Sequence, residues 1–174
     1  MTSQTRASIF TAGLNAASAG DLNAAIALFR EVVALTRPDE ADLSMSLGAL
    51  GHALAEHGDI AEADEVLAAA VAAAERSSPN EPNAAHVMIA RYFLGEHFLK
   101  TERASDALAA IEPVLGANGK LEPLARVVEA LAAKSLNDPV RALNAAQRAL
   151  VLSSSVDQLK SIEDRLRPIL SAAN

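Results

Sequence analysis

A Gly-Asp pair occurs twice in this chain, at Gly20-Asp21 and Gly58-Asp59, 38 residues apart, and each time it separates two runs of apolar residues at helical spacing. Glycine can take the left-handed conformation that ends a helix, and aspartate can accept from the orphan N–H groups that open the next one. The fullest copy is Leu50-Gly51-His52-Ala53-Leu54-Ala55-Glu56-His57-Gly58-Asp59-Ile60-Ala61-Glu62-Ala63. It predicts the end of one helix, a tight turn and an antiparallel partner. Two short amphipathic helices cannot bury their apolar stripes alone, so a chain of such hairpins must stack them side by side.

The rest of the chain divides on the same plan. Hairpins are predicted over about 6–38, 39–77, 81–116 and 121–153, with a closing helix over about 156–170, all within a single domain spanning 1–174. Arg37-Pro38 ends the first hairpin, because proline cannot continue a helix. Asp59 and Glu62 have the spacing of a capping box. Pro82 suits the first turn of the third hairpin, and Asp138-Pro139 opens a helix in the same way. Pro113 lies inside a helical pattern, where a kink or early ending is expected. In the last helix Leu159, Ile162, Leu166 and Ile169 form an apolar stripe, with Arg165 and Arg167 among the charged residues outside it. Such a helix gives a terminal repeat its polar outer cover.

Composition removes several function classes. The net charge of −7 argues against a general nucleic-acid binder, and five aromatics are too few for a base-stacking platform. Residues 1–87 carry 4 basic and 12 acidic side chains, whereas residues 88–174 carry 11 and 10. An acidic half can steer a basic partner or a neighbouring copy. Without cysteine there are no disulfides, thiolate metal sites or cysteine nucleophiles. The longest apolar run, Val66 to Ala74, is far shorter than the roughly 20 residues that span a bilayer. A cytoplasmic protein without membrane contact is expected.

No motif predicts catalysis. His52 and His57 fall on different faces of a helix, and His86 and His97 have no supporting carboxylates at ligand spacing. The Gly116–Leu121 loop lacks the spacing and the hydroxyl residue of a phosphate-binding loop. The serines cluster at helix ends, where they cap. No cofactor and no metal are implied, and the chain reads as a non-enzyme.

Taken together, the pattern resembles the tetratricopeptide repeat family. The resemblance rests on small residues midway along the first helices (Gly13, Gly51, Gly95), on the Gly-Asp turns, and on alanines early in the second helices (Ala25, Ala63, Ala107, Ala142). Phe29, Leu67 and Ile111 follow four residues after the first three of those alanines. Repeat spacings of 38, 44 and 35 residues depart from the usual length of about 34. The longer units are similar to the extended repeats of kinesin-light-chain and MalT-like proteins.

The resemblance implies an all-α, right-handed α-solenoid of about four helical hairpins plus a C-terminal capping helix. It also implies a concave groove lined by first helices. The matching positions are Phe10, Thr11 and Leu14; Met45, Ala49, His52 and Glu56; Ile89, Tyr92, Phe93, Glu96 and Lys100; and Val128, Leu131 and Lys134. Tyr92, Glu96 and Lys100 form the series hardest to bury. Phe10, Leu14, Ala49, Ile89 and Phe93 stand where a carboxylate-gripping member of the family would carry polar side chains, so the groove is expected to be apolar. It suits a helix or peptide from another protein. The alternatives are a self-associating scaffold and an intracellular sensor of a small ligand or signalling peptide.

Overall fold

The computed structural model describes residues 3–37, 42–117 and 119–171. Its helices are α1 (Ser3–Ser18), α2 (Leu22–Leu35), α3 (Asp42–His57), α4 (Ile60–Ser77), α5 (Ala85–Lys100), α6 (Ala104–Ile111), α7 (Glu122–Ser135), α8 (Pro139–Leu152) and α9 (Val156–Leu170). A 3-10 turn, Glu112–Val114, follows α6. Among the described residues there is no strand. The chain forms two compact units, Met1–Ala90 and Arg91–Asn174, and the division falls inside α5.

One turn is used four times. Gly20, Gly58, Glu102 and Asn137 all have positive φ, between 58° and 100°. After each, a backbone N–H reaches back to the preceding helix: Asp21 to the Ala16 carbonyl at 3.0 Å, Asp59 to Leu54 at 2.9 Å, Arg103 to Phe98 at 2.8 Å and Asp138 to Ala133 at 2.9 Å. This is the bond that satisfies an otherwise orphaned helix-end carbonyl. The second pair of turns uses non-glycine residues at a left-handed position, which asparagine accepts more readily than glutamate. At the glutamate turn the Arg103 guanidinium lies 4.3 Å from the centre of the Phe98 ring, a cation–π contact that braces the corner.

The first three hairpins also close in one way. A Cβ on Gly13 would lie 2.6 Å from Phe29 Cε1, and one on Gly51 would lie 2.6 Å from Leu67 Cγ. On Gly95 it would collide with Ile111 Cγ2. Each glycine therefore lets a large side chain of the second helix lie directly on the first helix, and Phe29 and Ile111 are fully buried as a result. In the fourth hairpin the residue four after Ala142 is Ala146. Ile162 and Leu166 of α9 share a buried cluster with Ala146, Val127 and Ala130, so α9 supplies the bulk that α8 lacks.

Several local expectations change. Ser3 already belongs to α1, so the first hairpin begins a few residues earlier than predicted. Pro82 lies in a turn three residues before α5 begins, not in its first turn. Asp59 does not cap α4 with its side chain; its carboxylate meets His57 Nδ1 at 2.9 Å. Glu62 accepts from Arg30 of the preceding hairpin instead, at 2.6 and 2.8 Å. Asp21 and Asp138 do cap, accepting from Ala24 N and Arg141 N, each at 3.0 Å. Pro113 ends α6 in the 3-10 turn, whereas Pro168 is carried inside α9. Pro38, expected to close the first hairpin, lies outside the described residues; α2 stops at Leu35, with Thr36 extended after it.

Candidate interaction surface

Residues 1–90 present an open first-helix face. Leu14 on α1 and Met45 on α3 are 45% and 57% exposed, and Ile89, near the start of α5, is 41% exposed. Phe10 is half-buried because its ring packs on Phe29, with centroids 5.6 Å apart. Ala49 is half-buried against the Leu50, Ala53 and Leu54 core. His52 and Glu56 are exposed, with Nδ1 and Oε1 separated by 3.6 Å, longer than a hydrogen bond. Between α1, α2 and α3 runs a groove of about 180 Å³, lined by Phe10, Thr11, Val32 and Met45 with Arg6 and Asp42 at its polar rim.

In residues 91–174 the corresponding face is occupied. Ile162, Leu166 and Ile169 of α9 are buried against α7 and α8. From the same helix, Arg165 Nη2 donates to Glu96 Oε1 on α5 at 2.8 Å. Tyr92, one turn before Glu96, interacts with both partners of this pair. Burial, and after it the Glu96 carboxylate, push the Tyr92 phenol above its ordinary value, while Arg165 pulls the other way. Burial opposes the Arg165 charge, but its hydrogen bond and charge attraction to Glu96 outweigh that, so its pKa is raised.

This arrangement corrects part of the predicted surface. Val128 is wholly buried and touches no solvent; its methyl lies near Gly95, where α5 and α7 approach closely. Leu131 is half-buried and packed on the α9 cluster. Glu96 is paired with Arg165, so the Tyr92–Glu96–Lys100 series is not the bare polar stripe expected of it. Phe93, 42% exposed, and Lys100 remain open, and Tyr92 and Phe93 rings sit 5.5 Å apart. Lys134 stands at the edge of a hollow of about 420 Å³ formed with Val140, Leu143, Pro168 and Ile169.

Two features escaped the sequence reading. Arg165 falls outside the apolar stripe of its helix; only its position directly before Leu166, flanking that stripe, hints that it can reach a neighbour. The other is a charge network on α7 and α8. Arg126 donates to Glu122 at 3.1 Å and to Glu129 at 2.9 Å, and Arg141 donates to Glu129 at 3.0 Å. Glu122 also accepts from the Gly116 N–H, and both glutamates are buried. The i, i+4 and i, i+3 spacing of Glu122, Arg126 and Glu129 could have revealed it.

Ser77 Oγ lies 3.1 Å from His86 Nε2, but it donates its proton to the Ala74 carbonyl at 2.8 Å and so closes the end of α4. Among the described residues no group of three or more His, Asp or Glu is placed to hold a metal ion, and no helix is long and apolar enough to cross a membrane.

Comparison with solved structures assigns the fold. The chain is similar to a Podosopora anserina protein described as a putative kinesin light chain with nearly identical TPR-like repeats. A structure of a variant form of that protein matches with a TM-score of 0.79 at 16% identity, over 95% of this chain and 85% of that one. A second structure of that description matches with a TM-score of 0.72 at 14% identity, over 96% and 95%. No protein-family model matches the sequence, and no curated protein matches it. The chain is a TPR-like helical repeat protein by fold.

Proposed function

We propose that this is a non-catalytic protein–protein interaction module that binds a helix or peptide on the apolar face of its first helices. The observation that carries this reading is the exposure of Leu14 and Met45. Large apolar side chains at the inner positions of α1 and α3 lie outside the core, and Met45 also lines the groove of about 180 Å³ between α1, α2 and α3. Burying such residues against a partner is the usual source of affinity for an amphipathic helix in a groove. The cysteine-free sequence fits a cytoplasmic setting.

The test is affinity capture from the native cell with the wild-type chain and with Leu14→Glu and Met45→Glu. Partners captured by the wild type should be lost from both variants while helicity is unchanged. Retention of every partner by both variants overturns the reading. Self-association is the second reading, favoured by the charge asymmetry: a net of −8 over residues 1–90 against +1 over residues 91–174. A monomer at every salt and protein concentration in sedimentation removes it.

A further inference from the structure

The face that is open in residues 1–90 has an occupant in residues 91–174, and that occupant is an amphipathic helix from the same chain. α9 seats Ile162, Leu166 and Ile169 in the α7–α8 cluster, and Arg165 reaches past it to Glu96 beside Tyr92. Resting on the helix-binding reading above, we infer that the α5–α7 face is an interaction surface for a partner helix with the chemistry of α9. That chemistry is three aliphatic residues at i, i+4 and i+7 with an arginine directly before the second. Such a helix takes the place of α9.

Three observations bear on the exchange. The outer surface of α9 is polar, so its attachment depends on its apolar stripe and the Arg165–Glu96 ion pair. That ion pair is partly open to water, where such pairs contribute modestly. The face also extends beyond what α9 covers, since Phe93 stays exposed next to Tyr92, and Lys100 lies exposed further along α5. A tethered helix has the advantage of high effective concentration, so a free helix must offer something more. Contact with Phe93 is that addition, because only a difference in contacts can shift the balance between two occupants.

The experiment uses the full chain and a fluorescent synthetic peptide of the Val156–Leu170 sequence, with binding read by anisotropy and α9 release read by hydrogen exchange. Arg165→Glu should raise peptide affinity about tenfold or more over wild type. Exchange should accelerate in α9 while α7 and α8 stay protected. The double variant Glu96→Arg with Arg165→Glu should return both readings to wild type.

Should Arg165→Glu loosen α7 and α8 as well, Arg165→Gln is measured in its place, with the same expectations in direction. Unchanged α9 protection together with unchanged peptide affinity in these variants overturns the inference. Peptide binding that is insensitive to Arg165 but lost in Met45→Glu also overturns it, while leaving the helix-binding reading intact. Absence of peptide binding in every variant, together with partner capture that survives Leu14→Glu and Met45→Glu, removes both.

Discussion

Residues 1–90 and residues 91–174 solve the same packing problem with different parts. In the first unit both hairpins close by a large side chain lying on a glycine, Phe29 on Gly13 and Leu67 on Gly51. The core is complete without help, and Leu14 and Met45 are left outside it. In the second unit only Ile111 on Gly95 follows that scheme. The α7–α8 hairpin has alanines where the large residue would be, so it borrows Ile162 and Leu166 from α9 and adds a Glu122–Arg126–Glu129–Arg141 network whose two glutamates are buried. A self-sufficient hairpin can leave its inner face free, whereas an alanine-rich one draws a further helix onto that face. Side-chain volume in the second helix thus bears on whether the inner face stays exposed.

The largest expected effect tests the charge network. Arg126→Ala removes the cation shared by the buried Glu122 and Glu129; Arg141 and the Gly116 N–H still compensate them in part, so the loss should fall at the lower end of the about 3–5 kcal/mol that breaking a buried pair costs. Denaturant unfolding should show that loss concentrated in residues 91–174, with hydrogen-exchange protection of α1–α4 retained. Protection lost equally in both units would mean that they unfold together, and the contrast between them would then be one of composition only.

Gly51→Ala tests the other half of the comparison. The new methyl would meet Leu67 at 2.6 Å in a filled core, and overpacking of this kind costs about 1–3 kcal/mol. Gly48, three residues earlier on the same helix, has nothing within 4 Å of such a methyl. There the removal of glycine flexibility dominates, and Gly48→Ala should stabilise by about 0.5–1 kcal/mol. Thermal unfolding of the two variants should move in opposite directions. Equal shifts would show that helix propensity, not the close approach of Leu67, governs α3.

The contrast explains which features could be read from the sequence. Gly20-Asp21 and Gly58-Asp59 announce their turns because glycine at positive φ leaves a residue signature, and Asp138-Pro139 and Ser153–Ser155 mark the bounds of α8 and α9. The equivalent turns at Glu102 and Asn137 carry no glycine at the left-handed position, so that position leaves no such signature. The repeat resemblance places Leu14, Met45 and Phe93 on the inner face of the first helices, but it places Val128 there too. Such a match identifies the inner face of a helix without saying whether another helix already lies on it. Glu96 and Arg165 are 69 residues apart, and nothing local in either sequence context encodes their meeting.

The smallest effect gives the most direct view of whether α9 covers its face. Tyr92 is the only tyrosine, so ultraviolet titration of the phenol reports on this site alone. Its midpoint should lie above the ordinary value of 10.0, with burial as the main cause and Glu96 second. The raised value means that above about pH 10 the unfolded chain gives up this proton before the folded one. Tyr92 therefore leaves stability unchanged at lower pH and subtracts from it as pH rises through that window. Arg165→Gln separates two roles of α9, because the arginine lowers the phenol pKa by its charge while the helix raises it by excluding water. If α9 stays seated, loss of the charge moves the midpoint further up. If α9 lifts away, burial is lost and the midpoint falls back toward 10, the behaviour expected of a face that exchanges its own helix for another.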